Sequence, residues 1–135
     1  MIFVDTNVLI DLIQNDPIWA GWSQQQLDIA GLRDVVAIND IVYAELSVHY
    51  AQIEELDKMI ADARLTAAPM PREALFLAGK AFQQYRRSGG TRTGVLADFF
   101  LGAHAAVTYS PLITRDPRRY RTHFPGIELV TPDIH

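Results

Sequence analysis

The first thirteen residues contain the change of pattern that most limits what this chain can fold into. Residues 2–4 are three consecutive β-prone apolar residues, which is typical of a short buried strand. Apolar residues then recur through residues 8–13, so we expect a helix to follow the strand. Asp5 lies at the boundary, where open α/β sheets place their ligand sites. Asp5 can serve as a helix cap, but Thr6 and Asn7 add more polar groups than one cap needs.

The rest of the chain repeats this alternation of strand and helix. Further strands are predicted at residues 35–38, 65–68, 112–114 and 127–130. Helices are predicted at residues 18–29, 40–49, 53–63 and 71–87, with another beginning near Asp98. Strands that alternate with helices favour a parallel sheet covered on both faces. We therefore expect residues 1–135 to form a single α/β domain.

Composition excludes several classes of protein. The 135 residues are 49% hydrophobic and 21% charged, which suits a folded domain with its own core. No apolar run reaches the roughly 18–20 residues of a membrane span, and no leader or signal peptide is expected. The chain contains no cysteine, which excludes disulfides and thiolate metal sites. A cytoplasmic location is the default expectation.

The net charge of −4 argues mildly against nucleic acid as a partner, because phosphate binders are usually basic. However, if four of the 16 acids belong to one cation-filled site, the remaining 12 balance the 12 bases. Arg92, Arg115 and Arg118 are candidate contacts to phosphate, since the forked guanidinium suits phosphate oxygens. A solvated helix surface is the simpler interpretation of any single arginine.

Four acidic residues stand out by their positions, namely Asp5, Glu45, Asp98 and Asp116. Asp5 and Asp116 each follow a buried strand, whereas the other two lie at the edge or the start of apolar helices. Two carboxylates about 5 Å apart repel by roughly 3 kcal/mol at an effective dielectric of 20. Four together would need protons, arginines or a metal ion, and oxygen ligands suit Mg²⁺ or Mn²⁺ rather than zinc. Salt bridges or helix caps remain open as the roles of some of them.

Several stretches of the sequence together resemble the motifs of the PIN domain. They are IFVDTNVLI at residues 2–10, NDIVYAEL at 39–46, GTR at 90–92, LADFFLGAHA at 96–105, and LITRD at 112–116 with Tyr120 and residues 124–125. They cover almost the whole chain in the family's order, and the chain looks most like the small VapC toxins of bacterial toxin–antitoxin pairs. The resemblance implies a three-layer α/β/α fold with a parallel five-stranded sheet of order 3-2-1-4-5.

The same resemblance implies a function. Members are Mg²⁺- or Mn²⁺-dependent endoribonucleases, work as homodimers, and are silenced in a hetero-oligomer by a VapB antitoxin. Carried over by position, the catalytic and metal-binding acids would be Asp5, Glu45, Asp98 and Asp116, with Thr6, Asn7 and Thr114 as supporting polar groups. Some relatives carry a further acid shortly after the fourth. Here Pro117, Arg118 and Arg119 follow instead, so the number of bound ions stays open.

Two other classes of protein share parts of this pattern. A phosphatase or receiver domain uses a strand-end aspartate as nucleophile or phosphate acceptor, but the dehalogenase-type pattern needs a second aspartate where Asn7 stands. A binding module could hold RNA or a partner without cutting, although the presence of all four acids argues against it. Trp19 and Trp22 suit core packing better than a surface for antitoxin or a second subunit.

Overall fold

The computed structural model describes residues 1–92 and 94–132, in which one or two helices separate consecutive strands. The strands are β1 (Ile2–Val4), β2 (Val36–Asn39), β3 (Thr66–Ala68), β4 (Leu112–Ile113) and β5 (Leu129–Val130). The helices are α1 (Thr6–Ile13), α2 (Ala20–Arg33), α3 (Asp40–Ser47), α4 (Ile53–Asp62), α5 (Arg72–Arg87), α6 (Leu96–Val107) and α7 (Arg118–His123).

The five strands form one parallel sheet in the order β3-β2-β1-β4-β5, which confirms the predicted order. The central strand is β1, where Phe3 lies opposite Ala37 of β2 on one side and Leu112 of β4 on the other. Because all strands run the same way, their carboxyl ends share one edge of the sheet. That edge carries the residues that follow β1 and β4, which the sequence singled out.

The core lies between the sheet and the helices that flank it. All residues of β1 and β2 are buried without alternation, as expected of parallel strands covered on both faces. Helix α6 contains more buried residues than any other helix described, and its residues 101–105 are all inaccessible to solvent or nearly so. Even so, none of the helices in the described residues is both long enough and apolar enough to cross a membrane.

Helix α2 differs from its predicted bounds at both ends. It begins at Ala20 rather than Ile18, because the Asp16 carboxylate accepts the backbone N–H groups of Ile18 and Trp19 at 2.8 and 2.9 Å. These bonds hold both residues in a turn ahead of the helix. The helix also continues through Gly31, which is exposed, and ends at Arg33.

Gly102 of α6 provides a test of the packing between this helix and the segment after α7. A Cβ atom at position 102 would collide with the ring of Phe124, which is itself buried. We expect Gly102→Ala to destabilise the fold by about 1–2 kcal/mol in urea denaturation, because overpacking outweighs the gain in helix propensity.

Gly79 of α5 is the matched control for this substitution. A Cβ atom at position 79 meets nothing within 4 Å, so Gly79→Ala should stabilise the fold by up to about 1 kcal/mol. Equal stabilisation by both alanines would contradict the tight contact at Phe124.

Candidate functional site

Asp5 is the residue on which the site at the carboxyl edge of the sheet is centred. It follows β1 directly and caps α1, because its Oδ1 atom accepts the backbone N–H of Thr6 at 2.7 Å. Its Oδ2 atom accepts the hydroxyls of Thr114 at 2.8 Å and of Tyr120 at 2.9 Å. The Asp5 carboxylate is therefore fixed in position by three donors from three segments of the chain.

The charge of Asp5 is poorly stabilised despite these hydrogen bonds. The residue is only 7% exposed, and within the described residues no basic group forms an ion pair with it. Burial raises the pKa of the Asp5 carboxyl from 3.8 to about 6, with the charge of Asp98 acting in the same direction. The three hydrogen bonds oppose this shift without cancelling it.

Asp98 lies in the first turn of α6 and faces Asp5 across a shared hydroxyl. The Tyr120 hydroxyl is 2.9 Å from Oδ2 of Asp5 and 3.4 Å from Oδ1 of Asp98, so one proton serves two carboxylates. The Oδ2 atom of Asp98 also accepts a hydrogen bond from Nη1 of Arg119 at 2.9 Å. Burial above all raises the pKa of Asp98, the charge of Asp116 adds to the effect, and the Arg119 guanidinium opposes it.

Tyr120 remains a neutral hydrogen-bond donor in this setting. It is 1% exposed, and burial followed by the charges of Asp5 and Asp98 raises the pKa of its phenol well above the ordinary value. The negative charge of Glu45 adds to the same effect. The charges of these three acids thus act on the buried Tyr120 hydroxyl and keep it protonated.

Glu45 reaches the site through Thr6. It lies on the exposed side of α3, and its Oε1 atom accepts the Thr6 hydroxyl at 2.7 Å. The backbone N–H of the same threonine binds Asp5. Thr6 therefore joins the carboxylates of Glu45 and Asp5.

Thr114 and Asn7 connect the end of β4 to the end of β1. The Thr114 hydroxyl donates to Asp5 and accepts the backbone N–H of Asp116 at 3.1 Å and Nδ2 of Asn7 at 3.5 Å. The Asn7 Oδ1 atom accepts the backbone N–H of Arg115 at 3.3 Å. These bonds shape the loop that carries Asp116, whose side chain is exposed at the mouth of the site.

Arg115 has a different partner from the RNA phosphate expected of it. Its Nε and Nη2 atoms bind the two carboxylate oxygens of Asp11 at 2.6 and 2.9 Å, and its guanidinium lies 5.1 Å from the ring centroid of Trp19. Asp11 is 2% exposed and also accepts the Ser23 hydroxyl at 2.8 Å. The Nε and Nη2 atoms are thus engaged in an internal ion pair, and a contact of Arg115 with phosphate stays a prediction.

The other two predicted arginines, Arg92 and Arg118, have exposed side chains beside the acids. Sequence reasoning gave no role in the site to three side chains that shape it, which are Asp11, Arg119 and Tyr120. The tryptophans do not contribute to it directly. Trp22 packs against the core, while Trp19 supports the Arg115 guanidinium.

The donor chemistry of the site fits a hard divalent cation. Its ligating atoms are carboxylate oxygens, and Asp5 is a buried anion that lacks a cationic partner among the described residues. The side chains do not yet converge, however. In residues 1–92 and 94–132 no three His, Asp or Glu side chains come close enough together to hold one ion. Instead, Asp98 contacts Arg119 and Glu45 contacts Thr6.

Comparisons with known proteins give one family and a consistent fold. The family model described as PIN domain matches residues 2–125. Among solved structures, VapBC2 from Rickettsia felis bound to a promoter DNA fragment has a TM-score of 0.75 and 21% identity, covering 98% of this chain and 100% of that chain.

Two further solved structures show the same likeness. DNA-bound VapBC from Salmonella typhimurium gives a TM-score of 0.71 at 20% identity, covering 97% of this chain and 98% of that one. FitAcB from Neisseria gonorrhoeae gives 0.66 at 19% identity and covers 96% of each chain. At these identities the likeness is one of fold. No curated protein sequence matches the chain.

Proposed function

The chain belongs to the PIN domain family, and from this premise we propose that it is a divalent-metal-dependent endoribonuclease, the toxin of a VapBC-type toxin–antitoxin pair. PIN domains are generally nucleases and usually use a divalent metal ion. The observation that carries the proposal is Asp5. It is a buried carboxylate, fixed by three donors, with a pKa raised to about 6 and no cationic partner among the described residues. Such a group is suited to a cation supplied from solution.

We assign the metal to the four acids Asp5, Glu45, Asp98 and Asp116, as Mg²⁺ or Mn²⁺. When bound, such an ion supplies a Lewis acid that makes a water more acidic and offsets the charge on phosphate oxygens. Asp5 provides the most rigid ligand because Thr6, Thr114 and Tyr120 leave it one orientation. Asp116 and Glu45 are the more exposed acids, so the substrate approaches from their side.

The protein's own residues then position the reacting groups. Water attacks the phosphorus of an RNA phosphodiester in line, and the bond from phosphorus to the 3′ oxygen breaks. We assign Glu45 to orienting the attacking water, since its exposed carboxylate is held toward Asp5 by Thr6. Tyr120 keeps its proton and so continues to donate to the carboxylates while charge builds up on the phosphate.

We also propose that the protein assembles as a homodimer that a VapB-type antitoxin binds in a hetero-oligomer. The similar solved structures include two VapBC complexes, both bound to DNA. Several large apolar side chains of this chain are exposed, as expected of surfaces that contact other proteins. They include Ile18, Leu32, Val48 and Phe76.

The test is cleavage of total RNA by the purified protein with and without divalent metal. We expect cleavage in Mg²⁺ or Mn²⁺, complete loss in EDTA, and recovery when Mg²⁺ is restored in excess. Binding of RNA without cleavage under all metal conditions would favour the binding module instead. Stable binding of beryllium fluoride to the Asp5 carboxylate, as a mimic of a phosphorylated aspartate, would favour the phosphatase class.

A further inference from the structure

A pocket of about 400 Å³ opens beside Asp116, between the loop after α5 and the helix α7. Asp116 forms part of its lining, so the pocket is continuous with the candidate active site. Its basic lining residues are Arg92, Arg118, Arg119 and His123. The four acids themselves repel a polyanion, whereas this adjoining pocket carries an excess of positive charge.

Two of the arginines are available to a ligand. The side chains of Arg92 and Arg118 are exposed, and within the described residues neither takes part in an ion pair or a side-chain hydrogen bond. Arg119 instead binds Asp98, which places its guanidinium at the boundary between the pocket and the acids. Free guanidinium groups on one side of a polar pocket provide forked donors for phosphate oxygens.

The loop that carries Arg92 is fixed in place by Tyr85. Gly90 lies flat against the Tyr85 ring, where a Cβ atom would collide with the ring, and the Tyr85 hydroxyl accepts the backbone N–H of Arg92 at 3.2 Å. The ring itself is held by Phe99 and His123, with centroids 5.5 and 5.9 Å away. The wall of the pocket is thus formed by a supported loop.

From these contacts we infer that the pocket of Arg92, Arg118 and His123 binds one nucleotide of single-stranded RNA, through its backbone phosphate, next to the bond that is cut. This rests on the proposed function, because it names how the same site holds its substrate. The volume is in the range of small-ligand sites and suits one unpaired nucleotide, and sequence-specific proteins commonly recognise RNA as splayed single strands. Arg92 and Arg118 bind the phosphate of this nucleotide. The phosphate of the neighbouring nucleotide, at which the chain is cut, then lies over the acids.

The experiment measures RNA binding under conditions where nothing is cut. A short fluorescein-labelled single-stranded RNA of mixed sequence is titrated with protein in EDTA, and anisotropy is followed at several salt concentrations. The double variant Arg92→Gln with Arg118→Gln should bind about 10-fold more weakly. It should also lower the slope of log affinity against log salt by about 0.7, the contribution of the one phosphate that both arginines bind.

The control removes the same amount of charge elsewhere. Arg72 and Arg121 are exposed and do not line the pocket, so Arg72→Gln with Arg121→Gln should change the affinity less than about 2-fold. Equal weakening by both double variants would overturn the inference, because net charge alone would then explain binding. So would wild-type protein that does not bind the RNA.

The outcome is separable from that of the proposed function. Binding in EDTA does not require catalysis, so protein that binds through the pocket but never cuts RNA would refute the nuclease proposal and leave the pocket standing. Conversely, a wild-type enzyme that cuts RNA while the Arg92 and Arg118 variants bind normally would refute the pocket alone.

Discussion

Asp5→Asn should abolish RNA cleavage and, in the absence of divalent metal, make the protein more stable. Loss of groups that merely orient metal ligands typically costs 10–100-fold in activity, so loss of a charged ligand should exceed about 100-fold. The negative charge of Asp5 also destabilises the fold, because burial and the charge of Asp98 raise the pKa of Asp5 from 3.8 to about 6. Two pKa units correspond to about 3 kcal/mol, which is the upper limit of the expected gain.

The pH dependence of that gain has a definite sign. The folded-state pKa of Asp5 lies above the unfolded value, so the stability that protonated Asp5 contributes is present below about pH 4 and lost as pH rises through about 6. Thermal denaturation in EDTA should therefore show the variant above the wild type at pH 7, with the difference closing toward pH 4. Mg²⁺ should raise the melting temperature of the wild type and leave that of the variant unchanged.

Asp28→Asn is the matched control, since Asp28 is an exposed acid in α2 that lies outside the site. It should cut RNA at the wild-type rate and show no pH-dependent gain in stability. If Asp5→Asn also cut RNA normally, Asp5 would have no part in catalysis and the metal site would have to lie elsewhere.

The fold could be predicted from local pattern where, as in β1 and β2, a strand is a short apolar run that a helix follows. The first and last residues of the shortest strands were less predictable. Strand β4 spans only Leu112–Ile113 and β5 only Leu129–Val130, because hydrogen bonds to neighbouring strands decide where such strands end. Helix α7 was not predicted, since RRYRTH contains a single apolar residue, Tyr120, and follows a proline.

The site was predictable only in part, for a related reason. Asp5 and Asp116 follow predicted strands, so parallel topology alone places them at one edge of the sheet. Asp11 gave no such signal, because a single acid in an apolar helix looks like a residue that faces solvent. Its partner Arg115 lies 104 residues away, and no local pattern joins the two. The roles of the four acids in metal binding and cleavage remain predictions.

Arg115→Met should destabilise the fold by about 3–5 kcal/mol, the typical cost of leaving a buried charge without its partner. Asp11 is 2% exposed, and loss of both guanidinium contacts would leave it only the Ser23 hydroxyl. Thermal denaturation should show a fall of about 10 °C or more for a chain of this length.

The double variant Asp11→Leu with Arg115→Met decides whether the loss comes from the unpaired charge or from lost packing. Removing both charges removes the desolvation penalty, so the double variant should recover most of the stability that Arg115→Met loses. If it is no more stable than Arg115→Met, packing against Trp19 dominates instead. Because Arg115 lies between Thr114 and Asp116, Arg115→Met should also weaken RNA cleavage at temperatures where it is still folded. The control is Lys58→Met, which removes an exposed ion pair with Asp62. It should change neither the stability nor the rate of RNA cleavage.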